Sequence, residues 1–236
     1  MTRPNLFDFA TSELSQDAFL CWLIAQARYE DDAKLQTVGR AFIAWLWGMA
    51  RNQQVGPEDV RLLAAPEQQA DHIDILFEAD VAGRRVVFVI EDKTDTSQHS
   101  GQLQKYKDVA GKRSSEVVLI YFKTGFHFGI DKDAAKHGYV VIGLREWVAF
   151  LGQHAVPHDV FRDYREYVSR LLKDREAALA ALNARGGHQM LAKNFVQFEF
   201  IERLPAQCSQ NVAARAVADP QKGPFSRSAS DHVVTS

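Results

Sequence analysis

Residues 72–93 read HIDILFEADVAGRRVVFVIEDK, and the fold turns on how this stretch is read. Two runs, His72–Asp80 and Arg84–Lys93, are dense in β-branched and aromatic residues, with Ala82-Gly83 between them. That pattern predicts an antiparallel hairpin. Alternation puts Ile73, Ile75 and Phe77 on one face and Leu76, Val87 and Val89 on the other. Strands that are apolar on both faces belong inside a sheet covered from both sides. A turn centred between Ala82 and Gly83 also sets the register, bringing Asp74 directly opposite Glu91. Opposed residues share a face, with Cβ atoms about 5 Å apart. Lys93, two residues beyond Glu91, points the same way. Two carboxylates and an ammonium therefore meet at one end of the hairpin.

Working outward, residues 116–124 (EVVLIYFKT) and 139–143 (YVVIG) predict two further strands, and Val60–Leu63 a short one. Gln98–Lys112 reads as a polar helix. Upstream, a first helix starts between Ser12 and Ser15 and carries Phe19, Leu20, Leu23 and Ile24 at helical spacing. A second runs from about Ala33 to Ala50. Trp22, Trp45 and Trp47 sit in these apolar helices and read as core. Downstream come a short helix at Leu144–Leu151, a long amphipathic one from Asp159 to about Asn183, and one more over Gln189–Leu204. The expected fold class is α/β: a central mixed sheet of about four to five strands, flanked by helices, with extra N- and C-terminal helices. Residues 1–204 read as one domain. Residues 205–236 read as a disordered tail, because from Ala206 onward the chain has no Leu, Ile, Trp or Tyr.

Composition narrows the function classes. Of 236 residues, 46% are hydrophobic, enough for a real core, so a wholly disordered chain is excluded. The formal net charge of −2 argues against a globally basic nucleic-acid coat protein but leaves room for a local basic groove. Two cysteines, Cys21 and Cys208, exclude a disulfide framework and a cysteine-based zinc site. No stretch approaches the roughly 18 apolar residues of a membrane span, and no secretory leader is visible. The expected setting is the cytoplasm, with no membrane partner.

Opposed carboxylates on a buried sheet repel each other and call for a cation. A hard divalent ion is the natural one, since Mg²⁺ prefers oxygen ligands and takes one or two protein carboxylates. A neighbouring Lys then positions a water or neutralises developing charge. Glu-x-Lys alone describes any solvated strand end or ordinary ion pair; the opposed Asp74 gives it meaning. Gln102 and Tyr106 follow at i, i+4 on one helix face. Lys105, Lys107, Lys112 and Arg113 make that helix and its exit basic, which fits either a phosphate-contact stripe or a plain solvated face. His72 falls on the Asp74 face by alternation and reads as structural or supporting. His154 and His158 are discounted as a metal pair, because Pro157 interrupts any helix between them.

Asp74, then Glu91-Asp92-Lys93, then Gln102 and Tyr106 as QxxxY, resembles the PD-(D/E)XK nuclease superfamily in its RecB-type variant. Residues 13–23, ELSQDAFLCWL, are similar to the first helix of a bacterial subgroup of that superfamily. Ile73 stands where the motif has Pro. The resemblance implies a restriction-endonuclease-like fold and Mg²⁺- or Mn²⁺-dependent hydrolysis of phosphodiester bonds. The implied substrate is DNA ahead of RNA, in a defence or repair context. It implies Asp74 and Glu91 as metal ligands, the backbone carbonyl of Asp92 as a further ligand and Glu13 as an auxiliary one. Lys93 would orient or activate the attacking water, and Gln102 and Tyr106, with Lys105 beside them, would align the substrate strand. The rival readings are a catalytically silent nuclease-fold module that binds nucleic acid or regulates, and an ion-paired scaffold without a nucleic-acid role. These motifs do not encode oligomeric state or a choice between endo- and exonuclease action.

Overall fold

The computed structural model describes residues 3–10, 13–93, 102–114, 116–125 and 134–185; for Glu13 and residues 178–185 it describes the backbone alone. The chain divides into two compact units, Met1–Lys173 and Asp174–Ser236. The six-stranded sheet belongs to the first. Of the second, the described residues are the end of a helix. The helix expected over Gln189–Leu204, the domain boundary at residue 204 and the tail beyond it lie outside the described residues.

The elements are α1 (Glu13–Gln26), α2 (Ala33–Arg51), β1 (Val60–Leu62), β2 (Glu67–Ala70), β3 (Ile73–Val81), β4 (Arg84–Lys93), α3 (Gln102–Arg113), β5 (Val117–Lys123), β6 (Val140–Gly143), α4 (Leu144–Gln153) and α5 (Asp159–Arg185). Together they make an α/β fold around one mixed, open six-stranded sheet. Its order is β1-β3-β4-β5-β6, with β2 also on β3. The β3–β4 pair is antiparallel, and β4–β5 and β5–β6 are parallel. Helix α3 is the crossover that parallel β4 and β5 require.

Hairpin β3–β4 has the expected register, with Ile75 opposite Ile90 and Val81 opposite Arg84. Its two loop residues, Ala82 and Gly83, both have positive φ (50° and 80°), as a type I′ turn requires. The Gly83 N–H donates to the Asp80 carboxylate at 3.0 Å, which helps hold the loop.

Strand β2 is the sixth strand, beyond the four to five expected. Its sequence, EQQA, has none of the β-branched or aromatic residues that announce a strand, and its burial pattern is that of an exposed edge. It joins β3 through a second two-residue turn, Asp71-His72, with both residues left-handed (φ 54° and 68°). His72 is therefore an exposed turn residue rather than the first residue of a central strand. Ile73, expected beside Ile75, packs instead in the cluster of Leu76, Val87 and Val89.

The sheet has two differently covered faces. On one, Ile75, Phe77, Phe88, Ile90, Ile120 and Phe122 pack against α1, α2, α4 and the first part of α5. Phe19, Phe42, Trp47, Trp147 and Phe161 fill that layer with rings, each almost fully buried. Helices α1 and α2 meet at Gly39, where a Cβ would lie 2.5 Å from the Ala27 nitrogen and 2.7 Å from the Leu23 carbonyl oxygen. On the other face, Leu76, Val87, Val89, Leu119 and Tyr121 pack against Leu103, Tyr106 and Ala110 of α3 and against Tyr139.

Candidate functional site

Polar groups gather on the α3 face, where β3 begins and β4 and β5 end. The ends of parallel strands are where open α/β sheets place their ligand crevices. Asp74 is the residue of β3 just before the Ile75–Ile90 pair, so its carboxylate stands over the end of β4. It is 9% exposed and accepts three hydrogen bonds: from the Asp92 N–H at 2.9 Å, from Gln69 Nε2 at 3.2 Å and from Lys93 Nζ at 3.5 Å. Gln69 reaches it from β2, the strand absent from the sequence reading. Lys93 Nζ lies 2.8 Å from Glu91 Oε1 and donates to the Asp92 carbonyl oxygen at 3.0 Å. One ammonium thus bridges both carboxylates and the peptide between them.

Glu91 is completely buried. Among the described residues, neither of its oxygens has a hydrogen-bond donor in good alignment; its contact with Lys93 is an ion pair. Burial, together with the Asp74 charge, pushes its carboxyl up to about 8 against the opposing pull of Lys93. The Lys93 ammonium is shared by the two carboxylates, and burial holds a proton on Glu91 that a bound cation would displace. Among the described residues no group of three or more His, Cys, Asp or Glu side chains gathers as a metal cluster. The donor set is two carboxylates with the Asp92 carbonyl, all oxygen, which is the chemistry a hard divalent cation takes.

Helix α3 lays Tyr106 over this end of the sheet. The Tyr106 hydroxyl donates to the His72 carbonyl and accepts from Gln102 Nε2. Its ionisation is pushed up by burial and by the charges of Glu91 and Asp74. Tyr139 is likewise held above its usual range by burial and by Glu91, and its hydroxyl donates to the Leu103 carbonyl at 3.1 Å. Gln102 and Tyr106 therefore share one hydrogen-bonded unit beside the carboxylates. Lys105, Lys107 and Lys112 are exposed, and Lys105 lies on the outer side of the helix rather than with Tyr106. His72 contributes its carbonyl, not its imidazole. The side chain of Glu13, the expected auxiliary ligand, lies outside the described residues. His154 and His158 stack on different rings, Phe150 and Trp22, and do not form a pair.

Two residues at the site were missed from sequence. Lys123 is the register partner of Lys93 across β4–β5 and is 6% exposed. A Lys closing an apolar run reads as a strand end meeting solvent, and only the parallel register reveals its neighbour. Gln16 receives its meaning from the opposite face, where its amide donates to the Asp92 carboxylate. No family model, curated protein or solved structure matches the chain.

Proposed function

We propose that this chain is a divalent-metal-dependent nuclease that hydrolyses phosphodiester bonds. The observation that carries the reading is the fully buried Glu91, set beside Asp74, with Lys93 bridging the two. A protein core does not retain two adjacent carboxylates for packing, because desolvation and mutual repulsion both oppose it. In this reading Asp74, Glu91 and the Asp92 carbonyl hold Mg²⁺ or Mn²⁺, with Glu13 as an auxiliary carboxylate. When bound, the metal supplies charge neutralisation at the phosphate and a more acidic water. Lys93 orients the attacking water and carries positive charge toward the transition state. Lys123 beside it adds positive charge facing a polyanion. Gln102 aligns the strand with the amide hydrogen it does not give to Tyr106, and Tyr106, held by the His72 carbonyl, braces it. The resemblance of the motif set ranks DNA ahead of RNA.

One observation favours the silent binding module. Lys93 already contacts both carboxylates, so the triad has an internal counter-charge. Incubating the protein with circular and linear, single- and double-stranded DNA and RNA, in Mg²⁺, Mn²⁺ or EDTA, separates the two. Cleavage that EDTA abolishes supports the nuclease. Retained nucleic acid with no cleavage in either metal supports the binding module.

A further inference from the structure

Asp92 sits between Glu91 and Lys93, so strand alternation sends its side chain to the opposite face of the sheet. Its backbone stays at the site: its N–H donates to Asp74 at 2.9 Å and its carbonyl accepts from Lys93 at 3.0 Å. The N–H belongs to the Glu91–Asp92 peptide and the carbonyl to the Asp92–Lys93 peptide, so the placement of the Asp92 Cα that joins the two planes sets both the Asp74 carboxylate and the carbonyl. What fixes Asp92 is on the far side. Gln16 of α1, 6% exposed, donates from Nε2 to Asp92 Oδ1. Gln16 Oε1 in turn accepts from Thr124 Oγ1 at 2.8 Å and from the Tyr164 hydroxyl at 3.1 Å. Trp147 Nε1 donates to that hydroxyl at 3.2 Å. One amide thus joins α1, the end of β4, the residue after β5, and α5, and every member is buried.

We propose that Gln16 is a positioning residue: by holding the Asp92 side chain, it fixes the two peptides that flank Asp92, one of which presents the Asp92 carbonyl while the other orients Asp74 for metal binding. This rests on the metal-dependent reading of the site. Its chemistry is that of a partner behind the ligands, whose loss costs about 10- to 100-fold in metal affinity or activity. A merely structural amide would behave otherwise. Its loss would lower the folded fraction and scale down cleavage at every metal concentration, leaving the half-saturating concentration where it was.

The test uses Gln16→Met, which keeps an unbranched side chain of similar size, and Thr124→Val, which removes one donor to Gln16 and serves if the first variant fails to fold. Mn²⁺ binding is measured by calorimetry on the metal-free protein, cleavage is titrated with Mg²⁺, and hydrogen exchange is followed at the Asp92 amide. The expected result is a 10- to 100-fold weaker Mn²⁺ affinity for Gln16→Met and a smaller shift in the same direction for Thr124→Val. Cleavage recovers at high Mg²⁺, and the Asp92 amide exchanges faster even without metal. If wild type binds Mn²⁺ and cleaves, while both variants keep wild-type affinity and protection, the role of Gln16 is overturned and the nuclease reading stands. If wild type neither binds Mn²⁺ nor cleaves, the metal reading fails and takes this proposal with it.

Discussion

Asp92 and Glu91 are neighbours on one strand, are both acidic and are both buried, yet they face opposite sides of the sheet and are treated differently there. On the ring-filled face, Asp92 is met by a glutamine amide that is itself held by two hydroxyl donors. On the α3 face, Glu91 meets another carboxylate and part of one ammonium, and its carboxyl is pushed up to about 8. A buried carboxylate met by a held donor is fixed in place; one set against a second carboxylate needs another explanation. The comparison assigns stability to the ring layer and chemistry to the α3 face, with Asp92 and Gln16 as the link between them, and it can be broken by variants that confuse the two.

The largest effect is expected at the carboxylates. Asp74→Asn and Glu91→Gln should each lower metal-dependent cleavage by at least about 10³-fold and abolish the metal-induced rise in melting temperature together. Their own metal-free melting temperatures should hold or rise, because each variant removes one of two acidic groups whose burial and closeness already force a proton onto Glu91. Lys93→Ala should divide these readouts: metal binding persists or tightens while cleavage falls by orders of magnitude, as for a group that acts mainly in the transition state. If all three variants simply melt early, the triad is an ordinary ion-paired scaffold.

The opposite face should respond in the opposite sense. Phe42 is fully buried with ring centroids 5.3 Å from Trp147 and 5.6 Å from Phe150. Phe42→Ala should cost about 3–5 kcal/mol of stability by emptying the ring layer. Denaturant titration should show this loss, while cleavage per folded molecule stays unchanged. If Phe42→Ala kept its stability but lost cleavage, the ring layer would have a part in the chemistry and the division would fall.

How much of this was legible in the sequence follows from the kinds of interaction involved. The β3–β4 register could be read because alternation and a two-residue loop fix it locally, and that register carried Asp74 to Glu91. Tyr106 and Gln102 could be read because helical spacing pairs them. Strand β2 could not, since an edge strand of Glu and Gln has no apolar side to betray it. Its turn places Asp71 and His72 in left-handed conformations, with no glycine there to announce them. Lys123 and Gln16 depend on which distant elements become neighbours, β5 beside β4 and α1 behind it, and no local pattern encodes that.

A smaller effect is expected from pH. With Glu91 raised from 4.5 to about 8, the metal-free native state holds a proton that the unfolded chain has released. Stability from this group is complete below about pH 4.5 and is lost as pH rises toward 8, with a slope of at most about 1.4 kcal/mol per pH unit. Glu91→Gln should remove that slope from a series of thermal melts. Because metal binding must displace the proton, Mg²⁺ affinity of the wild type should strengthen with pH and level off above about 8. A wild-type melting profile that is flat over this range, and parallel to that of the variant, would mean Glu91 is ionised without strain and the contrast with Asp92 is lost.

The smallest effect is expected at Gln102, where the comparison is sharpened within the α3 face itself. Gln102 donates to the Tyr106 hydroxyl, and that hydroxyl separately donates to the His72 carbonyl. Removing Gln102 leaves the second bond intact, and the side chain is only half-buried, so Gln102→Ala should move the melting temperature by no more than a few degrees. Tyr106→Phe, by contrast, strands the His72 carbonyl above a fully packed ring and should cost about 1–3 kcal/mol. If Gln102 aligns the substrate strand, its loss raises KM severalfold with kcat little changed, since a positioning contact is made equally in ground and transition states. Steady-state kinetics on one oligonucleotide read both parameters. A fall in kcat with unchanged KM would move Gln102 from substrate alignment to the chemistry at Lys93, and an unchanged KM and kcat would leave it only as a brace for Tyr106.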